Sequence, residues 1–170
     1  MTTTTRAAWE RRVEELWSSF DDHAPADFLA RAEALAAELP PGDAVALYEL
    51  ASAHDALDRE EEAASLYRRA LAAGLPGERR RQAVVQLGST LRNLGRTEES
   101  IALLAAERKA VSDELDGAVA AFLSLSLADA GREREALSLA LTALVPHLPR
   151  YGRSLTAYAR DLAAGGGAAG

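Results

Sequence analysis

Apolar residues recur along this chain at intervals of three and four, interrupted by short polar, glycine or proline positions. Trp9, Val13, Leu16, Trp17 and Phe20 stand at offsets of 0, 4, 7, 8 and 11, one stripe of a helix that turns every 3.6 residues. This predicts a first helix over 5–20, closed by Asp21, Asp22 and His23. Pro25 suits the first turn of a second helix over 26–39, whose inner face carries Phe28, Leu29, Ala32, Leu35, Ala36 and Leu39. Pro40, Pro41 and Gly42 then break the chain, and Asp43 is placed to cap the next helix. Further helices are predicted over 44–57, 60–73, 78–94, 97–112, 117–130, 133–145 and 150–162, nine in total. The connections are short, so neighbours must fold back as antiparallel hairpins. The tail over 164–170 is Ala, Gly and Gly-rich to its end, with little side chain to bury, and is expected to be disordered.

The pattern repeats itself. Leu57-Asp58-Arg59, Leu94-Gly95-Arg96 and Ala130-Gly131-Arg132 each join two amphipathic helices, at spacings of 37 and 36 residues. Before each turn lies Leu47-x2-Leu50-Ala51-x2-His54, Val84-x2-Leu87-Gly88-x2-Leu91 or Ala120-x2-Leu123-Ser124-x2-Leu127. After them come Ala63-x3-Tyr67-x2-Ala70, Ser100-x3-Leu104 and Ala136-x3-Ala140-x2-Ala143. The small residue of the first helix precedes that of the second by 12 positions in all three copies: 51 to 63, 88 to 100, 124 to 136. Two helices approach closely only where a small residue meets the partner, and large residues beside it fill the groove. Each hairpin leaves one apolar face open for the next hairpin to cover.

These offsets resemble the tetratricopeptide repeat, whose signatures read W-x2-L-G-x2-Y and A-x3-F. The chain is similar to the small bacterial proteins grouped as tetratricopeptide group 5, most plainly over 47–71 and 148–162. It departs from the signature in placing His54 and two leucines where the first helix carries Tyr, and each period exceeds the usual length by two or three residues. The resemblance implies an all-α fold, a right-handed α-solenoid of stacked antiparallel helix hairpins with a C-terminal capping helix. It divides the chain into a single domain over 1–163: a degenerate pair at 5–42, repeats at 43–76, 80–114 and 116–149, a capping helix at 150–163, and the tail.

The resemblance also implies a function: a non-catalytic module that binds a peptide or protein segment in the concave groove lined by the first helix of each pair. Carried onto this chain, the groove positions are Tyr48, Glu49, Ser52 and Asp55, then Gln82, Gln86, Ser89, Arg92 and Asn93, then Phe122, Leu125 and Asp129. A two-carboxylate clamp needs paired Lys, Asn and Arg, and only Arg92 and Asn93 stand where they contribute. Phe122 and Leu125 are expected under the last helix, covered by Leu155, Tyr158, Ala159 and Leu162, with Arg150, Arg153, Arg160 and Asp161 facing outward; left open instead, the patch is a dimer or partner site. The alternative function is a structural or homo-oligomeric scaffold that uses the end faces of the solenoid, so a homodimer belongs among the expected partners.

Composition narrows the chemistry. Ala and Leu number 38 and 26 of 170 residues, against seven Val and one Ile, which favours helices over sheets. There is no Cys, so neither disulfides nor thiolate chemistry is available. His23, His54 and His147 form no metal-binding spacing; His54 falls at a packing position and His147 in a helix-terminal turn. Glu60, Glu61 and Glu62 open a helix, where the macrodipole favours negative charge. No phosphate-binding glycine loop and no catalytic constellation is present, so neither an enzyme nor a cofactor is expected.

Charge is asymmetric, with 15 acids and 5 bases over 1–62 and 11 acids and 14 bases over 63–170. The acidic first part disfavours nucleic acid. The one basic run, Arg79, Arg80 and Arg81, is read as a solvated helix start with partners one turn away, and alternatively as a grip on an acidic partner. The longest uncharged runs, 117–128 and 136–149, are shorter than the roughly 18 residues a membrane span requires. A cytoplasmic location follows as the expectation.

Overall fold

The computed structural model describes residues 3–110 and 112–165; of residues 3–5 the backbone alone is described. Most of the tail expected to be disordered, 166–170, lies outside the described residues. Among the described residues there are nine α-helices, two short 3-10 turns and no strand. The helices are α1 Thr3–Ser18, α2 Pro25–Ala37, α3 Ala44–Asp55, α4 Glu60–Ala72, α5 Gly77–Asn93, α6 Thr97–Ala110, α7 Asp116–Asp129, α8 Glu133–Leu144 and α9 Gly152–Ala163. At two ends a 3-10 turn takes over where the sequence reading continues the helix. Phe20 opens a 3-10 turn, Phe20–Asp22, because the chain must bend before Pro25, and α8 gives way to a second, Val145–His147, at Pro146.

The turns explain why the hairpins repeat. Asp58, Gly95 and Gly131 all take a left-handed backbone, with φ of 56°, 72° and 72°. In each copy the following Arg N–H reaches back five residues, Arg59 to His54 O at 3.0 Å, Arg96 to Leu91 O at 2.8 Å and Arg132 to Leu127 O at 2.9 Å. This closes the helix with a Schellman cap. The same arginine's carbonyl then accepts the first bond of the next helix, from Ala63, Ser100 and Ala136 respectively. One three-residue turn thus ends one helix and starts another. Asp43 caps α3 as expected, its Oδ1 accepting from Val45 N and Ala46 N at 3.0 Å each.

The chain forms two compact units, Met1–Ala83 and Val84–Gly170, with the boundary inside α5. In the first, α1 packs on α2, α2 on α3 and α3 on α4. Its core holds Trp9, Phe28, Ala51, Ala63 and Tyr67, each 2% exposed or less. The Trp9 indole donates to Leu35 O at 2.8 Å, and Trp17, Phe20 and Phe28 form an aromatic cluster with centroids 4.7 to 6.1 Å apart.

In the second unit α6 packs on α7, α7 on α8 and α8 on α9. Where α5 meets α6, a Cβ added at Gly88 would stand 2.7 Å from Leu104 Cδ1 and Cγ. Only glycine admits the fully buried Leu104. Ser100 donates to Gly88 O at 2.6 Å and lies 2.8 Å from Ser126 Oγ, so the polar atoms of this tight seam are satisfied.

Candidate functional surface

The first helices of the hairpins carry the residues singled out from the sequence. Within the first unit they are largely occupied by other parts of the chain. Tyr48 is only 8% exposed; its hydroxyl donates to Gln82 Oε1 at 3.1 Å and its ring lies 6.1 Å from that of Tyr67. Ser52, 7% exposed, accepts from the Tyr67 hydroxyl at 3.3 Å, and that hydroxyl also reaches Asp55 Oδ2 at 3.3 Å. Burial, reinforced by Asp55, pushes the Tyr67 phenol well up, so it remains a neutral donor.

Glu49 sits at the centre of an ion-pair network. Arg79 Nε lies 3.0 Å from Glu49 Oε1, and the Trp17 indole donates to Glu49 Oε2 at 3.2 Å. The other end of the Arg79 guanidinium holds Glu10, which in turn pairs with Arg6, and Arg6 reaches Asp43. Burial pushes the Glu49 carboxyl above its ordinary range, against the opposing pull of Arg79. Each carboxylate in the chain from Asp43 to Glu49 therefore has an arginine within the unit.

The basic run does not behave as a solvated helix start. Arg79 bridges residues 69 and 30 positions away, and Arg81 is 2% exposed. The signal was present: Arg81 precedes Val84 and Val85 by three and four positions, on the face of α5 that continues through Gly88 and Leu91. By contrast Glu60, Glu61 and Glu62 form the first turn of α4, with Glu61 and Glu62 exposed. His54 is half-buried at its packing position, and burial lowers its imidazole. His147 is exposed, and His23 Nε2 lies 3.2 Å from Ser19 Oγ.

Within the second unit the picture is more open. The C-terminal half of α5 and α7 carry Gln86, Ser89, Arg92, Asn93, Phe122, Leu125 and Asp129. Arg92 Nε lies 2.6 Å from Asp129 Oδ2, linking the two helices. Leu125 is 46% exposed, Asn93 and Asp129 are exposed, and Phe122, Ser89 and Gln86 are half-buried. The Gln86 Oε1 atom is buried and has no hydrogen-bond partner among the described residues, a state that costs about 1–3 kcal/mol if left unrelieved.

The last helix does not cover Leu125 in the way expected from its sequence. α9 packs on α8, where Ser138 donates to Ala159 O at 2.6 Å. Ala159 is 1% exposed, but Tyr158 is 64% exposed, and Leu155 and Leu162 are half-buried. The most deeply buried part of the contact is at Ala159, with Leu155 and Leu162 partly covered beside it, because close packing favours a small residue there. Arg153, Arg160 and Asp161 face solvent.

Among the described residues no three His, Asp or Glu side chains gather as a metal-binding group, and no helix is long and apolar enough to cross a membrane. Comparison with known proteins adds one finding. The family model described as Tetratrico peptide repeat matches residues 44–162, more than half of the chain. No similar curated protein and no similar solved structure was found.

Proposed function

Because the chain belongs to the tetratricopeptide repeat family, we propose that it is a protein–protein interaction module whose contact surface is the α5–α7 face of the second unit. The family is generally non-catalytic, and its members suggest a protein partner. Gln86 carries the reading. Its amide oxygen has no donor among the described residues, and turned outward from its half-buried side chain it would accept a peptide N–H laid along this face.

The neighbouring residues supply the rest of such a surface. Leu125 and Phe122 offer an apolar contact, while Arg92 and Asp129 are an ion pair with partly exposed side chains that a charged ligand group can compete for. An extended or helical segment with alternating polar and apolar side chains suits this mixture better than a small metabolite. In the first unit, Tyr48, Ser52 and Glu49 already have intramolecular partners, so we assign them to holding that unit together and not to first contact.

The test is affinity capture with wild-type protein and with an Arg92→Glu, Gln86→Ala variant, read by mass spectrometry. A protein enriched by wild type and lost with the variant, while circular dichroism shows both folded, supports the surface. Equal capture by both removes it.

A further inference from the structure

In the second unit α6, α7 and α8 enclose a cleft of about 420 Å³, with Ala163 of α9 on its border, a size typical of small-molecule sites. Ile101, Leu123, Leu127 and Leu139 form its floor, each buried and showing only an edge to the cleft. α6 and α8 both run antiparallel to α7: Ser100 near the start of α6 meets Ser126 near the end of α7, and the Arg132 N–H before α8 returns to Leu127 O. They therefore run the same way along the cleft. From Ile101 to Arg108 is seven residues, about 10 Å of helix.

The two ends differ in charge. At the start of α8 the Arg132 guanidinium holds Glu135 through Nε and Nη2, at 3.0 and 2.9 Å, so that end is neutral. Arg108 and Lys109 stand exposed in the last turn of α6, and among the described residues neither side chain makes an ion pair or a hydrogen bond. The hydroxyls along the α8 wall are already committed: Thr142 donates to Ser138 O at 2.8 Å and Ser138 to Ala159 O at 2.6 Å. The cleft thus offers two cations at one end and apolar surface along the rest.

We propose that this cleft binds a medium-chain carboxylate, with the headgroup between Arg108 and Lys109 and the chain lying over the floor toward the neutral end. The carboxylate accepts charge-assisted hydrogen bonds from the guanidinium and the ammonium. A linear chain of about eight carbons, with C–C bonds of about 1.5 Å, covers the length available. A sugar or a nucleotide would leave its polar groups unpaired over the apolar floor. An extended peptide would leave its N–H groups unpaired, because the carbonyls of the surrounding helices are bonded within those helices. Leu123 and Leu127 leave α7 on the side opposite Leu125 and Asp129. The cleft shares no residue with the α5–α7 surface, and either stands if the other fails.

Isothermal titration calorimetry of octanoate into the full chain tests the proposal, with a dissociation constant of about 0.1–1 mM expected. Hexanoate, two methylenes shorter, is expected to bind about tenfold more weakly. Acetate has no chain and octylammonium the opposite charge; neither is expected to saturate in the same range. Arg108→Gln combined with Lys109→Gln weakens octanoate at least about tenfold, while Arg134→Gln, a base outside the cleft, leaves it unchanged. Ala105→Leu fills the cleft without altering charge and also weakens binding; if it loses helical circular dichroism, Ala163→Leu on the exposed border serves instead. Octanoate that fails to saturate up to about 10 mM overturns the proposal, as does binding matched by acetate or octylammonium, or binding indifferent to the double glutamine variant. Acetylated trileucine binding as tightly as octanoate overturns the acyl chain in favour of a peptide.

Discussion

Gly88→Ala adds a single methyl group, and the structure gives its consequence a sign. The new Cβ stands 2.7 Å from Leu104 Cδ1 and Cγ and 2.9 Å from Cδ2, well inside contact distance. Leu104 is fully buried, so it moves only at the expense of its own neighbours. Overpacking of this kind costs about 1–3 kcal/mol. Alanine returns about 0.8–1.0 kcal/mol through its better helix propensity, leaving a net loss of about 1 kcal/mol. In a chain of this length that lowers the melting temperature by about 2–4 °C.

The matched control is Gly117→Ala in α7, where the added Cβ meets nothing within 4 Å. Propensity acts alone there, and the variant is expected to melt at or above wild type. Thermal unfolding followed by circular dichroism reads both. A second check shortens the obstacle: Leu104→Ala opens space for the new methyl, so the double variant loses less than the sum of the singles, with a coupling of about 0.5–3 kcal/mol. Gly88→Ala melting above wild type, or strict additivity with Leu104→Ala, would refute the close approach of α5 and α6 at this point.

Ser100→Ala strips Gly88 O and Ser126 of a buried hydroxyl and is expected to cost about 1–2 kcal/mol in urea denaturation. Asp43→Ala removes the cap of α3, with a loss of about 1 kcal/mol by the same assay. Glu49 gives a pH-dependent result. Its folded carboxyl is held above the ordinary range by burial, so its contribution is present at low pH and is lost as pH rises through the folded value. Glu49→Gln is therefore more stable than wild type at neutral pH, and the gap closes as the solution is acidified below the usual carboxylate range. A gap that widens on acidification contradicts the assigned direction.

The parts of the fold that were legible in the sequence are those written locally. Predicted helix ends fall within about two residues of the observed ones because Pro25, Asp43, Gly95 and Gly131 act on their immediate neighbours. The 12-residue spacing located the small residues because a three-residue turn fixes how far each lies from it. Tyr48 was harder to place. It lies beside the Leu47 and Ala51 stripe, and its burial depends on Gln82, 34 positions on. The same holds for Arg79, whose partners Glu10 and Glu49 belong to other helices. Periodicity says which face of a helix is apolar, but not which polar residue of another helix will meet it. Tyr158 makes the same point from the opposite side: its spacing fits a buried stripe, yet the adjacent Ala159 takes the contact.

Binding of a peptide on the α5–α7 face is read from amide chemical shifts. A peptide selected from a random display library against the folded protein is titrated into isotopically labelled chain. Shift changes are expected to centre on Gln86, Ser89, Arg92, Leu125 and Asp129, with the amide protons of Gln86 among the largest. Saturable shifts confined to other helices, with these five unmoved, contradict it.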